Sequence, residues 1–361
     1  MKIGLVSMQR VYNQGSFLQA YGLMKLLQRS SKEVKFIDIK NGISNEGFCE
    51  HFHEVHQVPY IKRKLIRLTE KKQEKILKQE QEKWLKLSDT YADDEKIDMA
   101  FVGSDEVFNC LAPSRWGVSA QLFGNIPNSK YVFSYAASCG HTTYEKLPKE
   151  IVKYLADAMQ NFSSVSVRDE NTYDFVKKIT GIAPVYHLDP VLIYDFAEEI
   201  QLPKLNKPYM IVYSYSNRIC DKQVIGAIKD YAKKNGLLTV GVGVFQYWCD
   251  KNIPVTPFQT LGYFKNAACV VTDTFHGTVI SIKYNKQFVT MVRDSNRNKL
   301  QNLLDKFRLS VRGIEATEEL AKKMSEKIDY KAANAFLDEE KKRTLSYIDS
   351  CLGYAENGKG K

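Results

Sequence analysis

Residues 270–278, VVTDTFHGT, change chemical character midway. A β-branched run ends at Asp273, Thr274 and Phe275. His276 and Gly277 then lead into an apolar segment whose spacing predicts an amphipathic helix starting near Thr278. A strand running directly into a helix is half of a βαβ unit, so the stretch reads as one step of a parallel α/β sheet. Such sheets bind ligands beyond the carboxyl ends of their strands, which points to the polar turn as the place for chemistry. An imidazole at a helix N-terminus stands beside unpaired backbone N–H groups and the positive end of the helix dipole, a setting that suits a bound phosphate or carboxylate and proton transfer. His276 could equally cap the helix or pack in the core, and spacing alone leaves these readings open.

The same pattern recurs along the chain. β-rich runs at 3–7, 34–39, 99–103, 131–137, 164–168 and 185–187 alternate with helical segments, and runs at 209–215, 237–243, 269–273 and 287–292 repeat the alternation. The polar, proline-containing stretch 198–208 lies between the two sets. The expected fold is therefore α/β: two doubly wound Rossmann-like domains with an inter-domain cleft, over residues 1–200 and 206–355. A length of 361 residues and a composition of 44% hydrophobic and 26% charged residues agree with two globular domains. Asp169 and Asp221 read as helix N-caps. Phe336, Leu345, Ile348 and Leu352 have helical spacing, so terminal helices should pack on the sheets.

Four further turns follow predicted strands. SSVSVRDE (163–170) puts Arg168 at a strand end, where a guanidinium can hold a carboxylate or phosphate, or can pair with a neighbour such as Glu170. MAFVGSDEVFN (99–109) leaves Asp105 and Asn109 beyond a strand, with Asp105 either a base for a sugar hydroxyl or a helix cap. SYAASCGHTTY (134–144) leaves His141 in a similar place, and VYNQGSFLQAYGL (11–23) places Asn13, Gln14 and Ser16 before a helix. The last is not GxGxxG, and the chain has no P-loop, HExxH or GxSxG, so dinucleotide, P-loop, zincin and α/β-hydrolase chemistry lose their main support.

The formal charge of +10 is concentrated. Ten Lys/Arg and four Glu lie between Tyr60 and Ser88, within a predicted basic helical insertion at 57–88 that aligns Ile61, Leu65 and Leu68. A solvated helix face is the plain reading, an anionic membrane surface the alternative, and nucleic acid is not expected as a partner. Seven scattered cysteines without a CxxC spacing fit reduced thiols. With no apolar run approaching the roughly 20 residues of a membrane helix, the expected location is cytoplasmic, at the inner face of the plasma membrane if the basic helix docks there. Cys49, His51, His53 and His56 have zinc-ligand chemistry but no structural-site spacing, so no metal site is expected.

Taken together, NQGSFLQAYGL, VGSDEVFN, YAAS, VSVRDE, HLDPVL and VVTDTFHGTVIS, in that order, resemble the polysaccharide pyruvyl transferase family over residues 3–309. The resemblance implies a fold similar to two-domain GT-B glycosyltransferases, with no resident cofactor and with phosphoenolpyruvate as co-substrate. It also implies a saccharide acceptor such as a galactose-like 4,6-diol, which receives a cyclic pyruvyl ketal in capsule or exopolysaccharide biosynthesis. By position, Arg168 and His276 match the family's arginine and histidine and would serve the donor, with Thr274 and Gly277 beside them. Some members carry arginine just before the F/L-H step where this chain has Thr274, so another cation, Lys299 or alternatively Arg297, is expected to help. Asp105 or His141 would activate the acceptor, with Asn13, Gln14, Ser16 and Asn109 on the acceptor side. A polyprenyl-diphosphate-linked acceptor would give the basic helix a purpose. The alternative is a nucleotide-sugar glycosyltransferase of the same fold, and a third reading is a saccharide-binding protein without catalysis.

Overall fold

The computed structural model describes residues 1–29, 33–50, 58, 60–293 and 296–357. His51, His53 and His56 lie outside the described residues. The first sheet contains β1 (Lys2–Val6), β2 (Glu33–Phe36), β3 (Ile97–Asp105), β4 (Ser129–Ala137), β5 (Phe162–Ser164), β6 (Ser166–Val167) and β7 (Val185–Tyr186). The second contains β8 (Tyr209–Tyr213), β9 (Leu238–Val242), β10 (Lys251–Ile253), β11 (Cys269–Thr272), β12 (Gln287–Met291) and β13 (Gly313–Ile314). Every pairing between these strands is parallel. The helices are α1 (Gln14–Gln28), α2 (Tyr60–Glu80), α3 (Lys149–Met159), α4 (Glu170–Thr180), α5 (Pro190–Ile193), α6 (Lys222–Lys234), α7 (Pro257–Asn266), α8 (Phe275–Lys283), α9 (Arg297–Lys306), α10 (Glu319–Ser325) and α11 (Lys331–Asn357).

The strand order decides where a ligand can sit. The second sheet runs β10-β9-β8-β11-β12-β13, the doubly wound order that reverses between β8 and β11. The first runs β2-β1-β3-β4-β6-β7 and reverses between β1 and β3. At each reversal neighbouring turns splay to opposite faces and leave a crevice at the carboxyl edge. The two crevices open onto one cleft, so the expected pair of Rossmann-like domains is present.

Local chemistry explains the elements. The strands are runs such as the fully buried YMIVY of β8, covered by helices on both faces. Asn13 caps α1, Asp169 caps α4, Asp221 caps α6, and Thr256 with Gln259 forms a capping box before Pro257 of α7. The domains share an aromatic core: Phe258 of α7 packs against Phe17, Tyr21 and Trp84, with ring centroids 5.6, 5.0 and 5.3 Å apart. A hydrophobic interface of this kind fixes the domains relative to one another. The last helix returns to the first sheet, where Tyr347 donates to the Ser134 carbonyl at 2.9 Å and Tyr354 meets Tyr131 edge-on.

The face of α2 that aligns Leu65 and Leu68 is turned to solvent. Leu65 and Leu68 of α2 are 46% and 59% exposed, while Ile66, Gln73 and Leu77 are buried. The helix rests on polar backbone, since Gln73 donates to the Val255 carbonyl at 2.8 Å and accepts from its N–H at 3.1 Å. A side-chain amide satisfies both backbone groups, which an aliphatic stripe would leave unpaired. Among the described residues, no helix is long and apolar enough to cross a membrane.

Candidate functional site

A cleft of about 870 Å³ lies between the sheets, walled by the turns after β1, β3, β4 and β6 on one side and after β8, β11 and β12 on the other. Asn13, Ser16, Asp105, Asn109, His141, Arg168, Thr274, His276 and Lys299 all line it. Gln14 and Gly277 do not line this cleft. Gln14 is buried and donates to the Val255 carbonyl at 3.1 Å. Gly277 is packed so closely that a Cβ would fall 2.1 Å from Thr272 Oγ1.

The helix after β11 begins at Phe275, not near Thr278, which makes His276 its second residue. The Thr274 hydroxyl accepts from the Gly277 N–H at 3.0 Å and so caps the helix at the wall of the cleft. Phe275 carries Arg168, whose guanidinium carbon lies 4.0 Å from the ring centroid. The partner of Arg168 is Asp189, not Glu170: Nη1 donates to Asp189 Oδ2 at 2.8 Å, while Glu170 accepts from the Tyr186 hydroxyl. Asp189 Oδ2 is also 3.5 Å from His276 Nε2, and Oδ1 caps α5 by accepting from the Val191 N–H at 2.9 Å. Burial works against the charged carboxyl, but His276 and Arg168 outweigh it and hold Asp189 below the usual range. A histidine from one domain and an arginine from the other thus converge on one buried carboxylate. Gly15 permits this convergence, because a Cβ there would lie 2.1 Å from His276 Nδ1.

On the wall that carries Arg168, β3 ends with Asp105 at φ 79°, a left-handed backbone that turns the chain out of the strand. Ser16 Oγ donates to Asp105 Oδ2 at 2.7 Å. Glu106, the next residue, accepts from Lys299 Nζ at 2.7 Å and from Asn109 Nδ2 at 2.7 Å. Burial opposes its ionisation, yet Lys299, Arg168 and Asn109 prevail and draw its pKa down to about 2. The same pairing raises Lys299 against the opposing effect of burial. His141 lies behind this group, its Nε2 3.9 Å from Glu50 Oε2, and burial lowers its pKa. Arg297 is outside the cleft and pairs with Glu315.

Asp189 and Glu106 are the site residues that sequence reasoning passed over. Both stand in quoted motifs, but Asp189 precedes a proline and reads as a cap, and Glu106 pairs with a residue of the other domain. Tyr215 and Arg218, in the turn after β8, also line the cleft, with the Arg218 guanidinium carbon 4.6 Å from the Tyr215 ring centroid.

Solved structures with a similar course of chain include the UDP-GlcNAc 2-epimerase from Methanocaldococcus jannaschii, with 12% identity, a TM-score of 0.49, and 96% of this chain and 100% of that chain covered. A spinosyn rhamnosyltransferase gives 10% identity and a TM-score of 0.45, with 99% and 100% covered. A mutant O-GlcNAc transferase from Thermobaculum terrenum gives 11% and 0.41, with 96% of this chain covered but 64% of that longer one. No curated protein sequence matches the chain. The family model of the polysaccharide pyruvyl transferases matches residues 13–295, which include every cleft residue named above except Lys299 of α9. The chain therefore belongs to the polysaccharide pyruvyl transferase family and is a pyruvyltransferase.

Proposed function

We propose that the enzyme takes pyruvate from phosphoenolpyruvate and closes it as a cyclic ketal across two hydroxyls of a hexose, such as the 4,6-diol of a galactoside. The observation that carries this reading is the meeting of Arg168 and His276 on Asp189, at the N-terminus of α8 and on the wall of the cleft. Arg168, Lys299 and the α8 N-terminus supply positive character for the donor's carboxylate and phosphate.

Asp189 faces His276 Nε2 and leaves Nδ1 for proton transfer. Protonation of the donor's methylene carbon makes C2 electrophilic, and an acceptor oxygen adds there. Inorganic phosphate leaves, and the second hydroxyl closes the ring. Of the two hydroxyl protons released, one replaces that delivered to the methylene and the other leaves with phosphate. Asp105, held by Ser16, is the base for the acceptor, with Asn109 beside it. Lys299 is bound to Glu106 before the donor arrives, so an incoming anion must share this cation with Glu106.

The acceptor is lipid-linked in this reading. Leu65 and Leu68 project from α2 among Arg63, Lys64, Arg67, Lys71 and Lys72, all exposed. Exposed leucines beside cations suit the interface of an anionic bilayer.

Calorimetric titration tests the donor assignment. Phosphoenolpyruvate should bind the wild type, and Lys299→Met should weaken it roughly 10- to 100-fold, a charged hydrogen bond being worth about 1.5–3 kcal/mol. Binding of UDP with no binding of phosphoenolpyruvate would favour the glycosyltransferase instead.

A further inference from the structure

We propose a second saccharide subsite beside the reaction cleft, which makes the natural acceptor at least a disaccharide; this rests on the pyruvyl-transfer reading above. A separate cavity of about 220 Å³, room of the order of one pyranose ring, lies between α2, the turn after β1 and the turns after β8 and β9. It shares Tyr12, Asn13, Tyr213, Tyr215 and Val244 with the main cleft, so a chain of sugars could run from one into the other.

The two compartments differ in charge. The cleft sets Arg168, Arg218, Lys299 and other cations against Glu50, Asp105, Glu106 and Asp273, whereas among the described residues the annex carries Glu70 and Glu74 and no Lys, Arg or His. A phosphate or carboxylate is repelled from the annex, which leaves a neutral polyol as the fitting occupant. Tyr12, Tyr215 and Phe245 line it with aromatic rings, which suit the C–H side of a sugar, and Asn13 and the hydrogen-bonded pair Ser216–Glu70 line it with polar groups for the hydroxyls.

Gln14 gives the independent sign of a ligand. It is 3% exposed and forms part of the annex wall. Its Nε2 donates to the Val255 carbonyl at 3.1 Å, and its Oε1 accepts no hydrogen bond among the described residues. A buried acceptor left unmatched is costly, and a sugar hydroxyl would supply its donor. Gly243, at φ 68°, keeps this wall in place, since a Cβ there would lie 2.7 Å from Gln14 Nε2. Gln73 grips Val255 from the other side, so the wall stands before any ligand arrives.

Ligand-observed NMR titrations with methyl glycosides of galactose, glucose and N-acetylmannosamine, and with β-linked disaccharides ending in each, test the proposal. In at least one series the disaccharide should bind the wild type tenfold or more tightly than its monosaccharide. Ser216→Trp, which fills the annex, and Glu70→Ala, which removes a polar group offered to the sugar at an exposed helix position, should each remove that gain. Equal affinities across the panel, no glycan binding at all, or a gain that survives both variants would overturn the subsite. Phosphoenolpyruvate affinity, measured in the same samples, reports on the donor site separately. Its absence beside an intact disaccharide gain would remove the pyruvyl-transfer reading and leave the subsite standing.

Discussion

Gly15 and His276 are far apart in sequence, yet the ring of one fills the space where the other would carry a side chain. Gly15→Ala should therefore displace the imidazole while leaving α1, which favours alanine, intact. We expect turnover to fall by about 100-fold, the usual effect of misplacing a reacting group by about an ångström, with little change in melting temperature. Wild-type turnover in that variant would show that His276 does not need its observed position. At this scale the sequence reveals residue types but not partners. His276, Arg168 and Asp105 are legible because each follows a β-run. Asp189 is hidden by its second task as a cap for α5, and the capping role of Thr274 shows only once the helix start is known.

The helices and strands were legible wherever a period had room to repeat. β10 and β13 have three and two residues and stand in no β-rich run, unlike the equally short β6 and β7 within 164–168 and 185–187. The start of α8 was misread because Gly277 suggests a loop, whereas here a glycine is required by the closeness of the Thr272 and Thr274 hydroxyls. In α2 the helical period was legible but its buried face was not, since that face meets the backbone of Val255 and buries Gln73. The exposed leucines lead to a direct expectation. The enzyme should sediment with vesicles containing phosphatidylserine at low salt and be released as salt rises. Leu65→Glu together with Leu68→Glu should abolish sedimentation without affecting turnover of a soluble acceptor, and unchanged sedimentation would dismiss α2 as the docking element.

For the whole molecule, two parallel sheets with a linker between them could be read from alternation alone. How the halves face one another could not, because the contacts that settle it join distant residues: Phe258 with Phe17, Gln73 with Val255, Lys299 with Glu106. The last of these gives a pH dependence. Glu106 is drawn down to about 2 from an ordinary 4.5, so its contribution to stability is present above about pH 4.5 and is lost as pH falls towards 2. Glu106→Gln should flatten the acid limb of the unfolding curve in that window by about 2–3 kcal/mol; parallel curves for variant and wild type would contradict the pairing. The central claim is tested most directly by measuring phosphate release from phosphoenolpyruvate against a panel of galactosyl, glucosyl and mannosaminyl oligosaccharides, with the acceptor's mass recorded. The account predicts acceptor-dependent phosphate matched by a mass gain of one pyruvate less one water, slowed about 10²- to 10⁴-fold in His276→Ala. Phosphate released without a ketal, or an acceptor extended only when a nucleotide sugar is supplied, would contradict it.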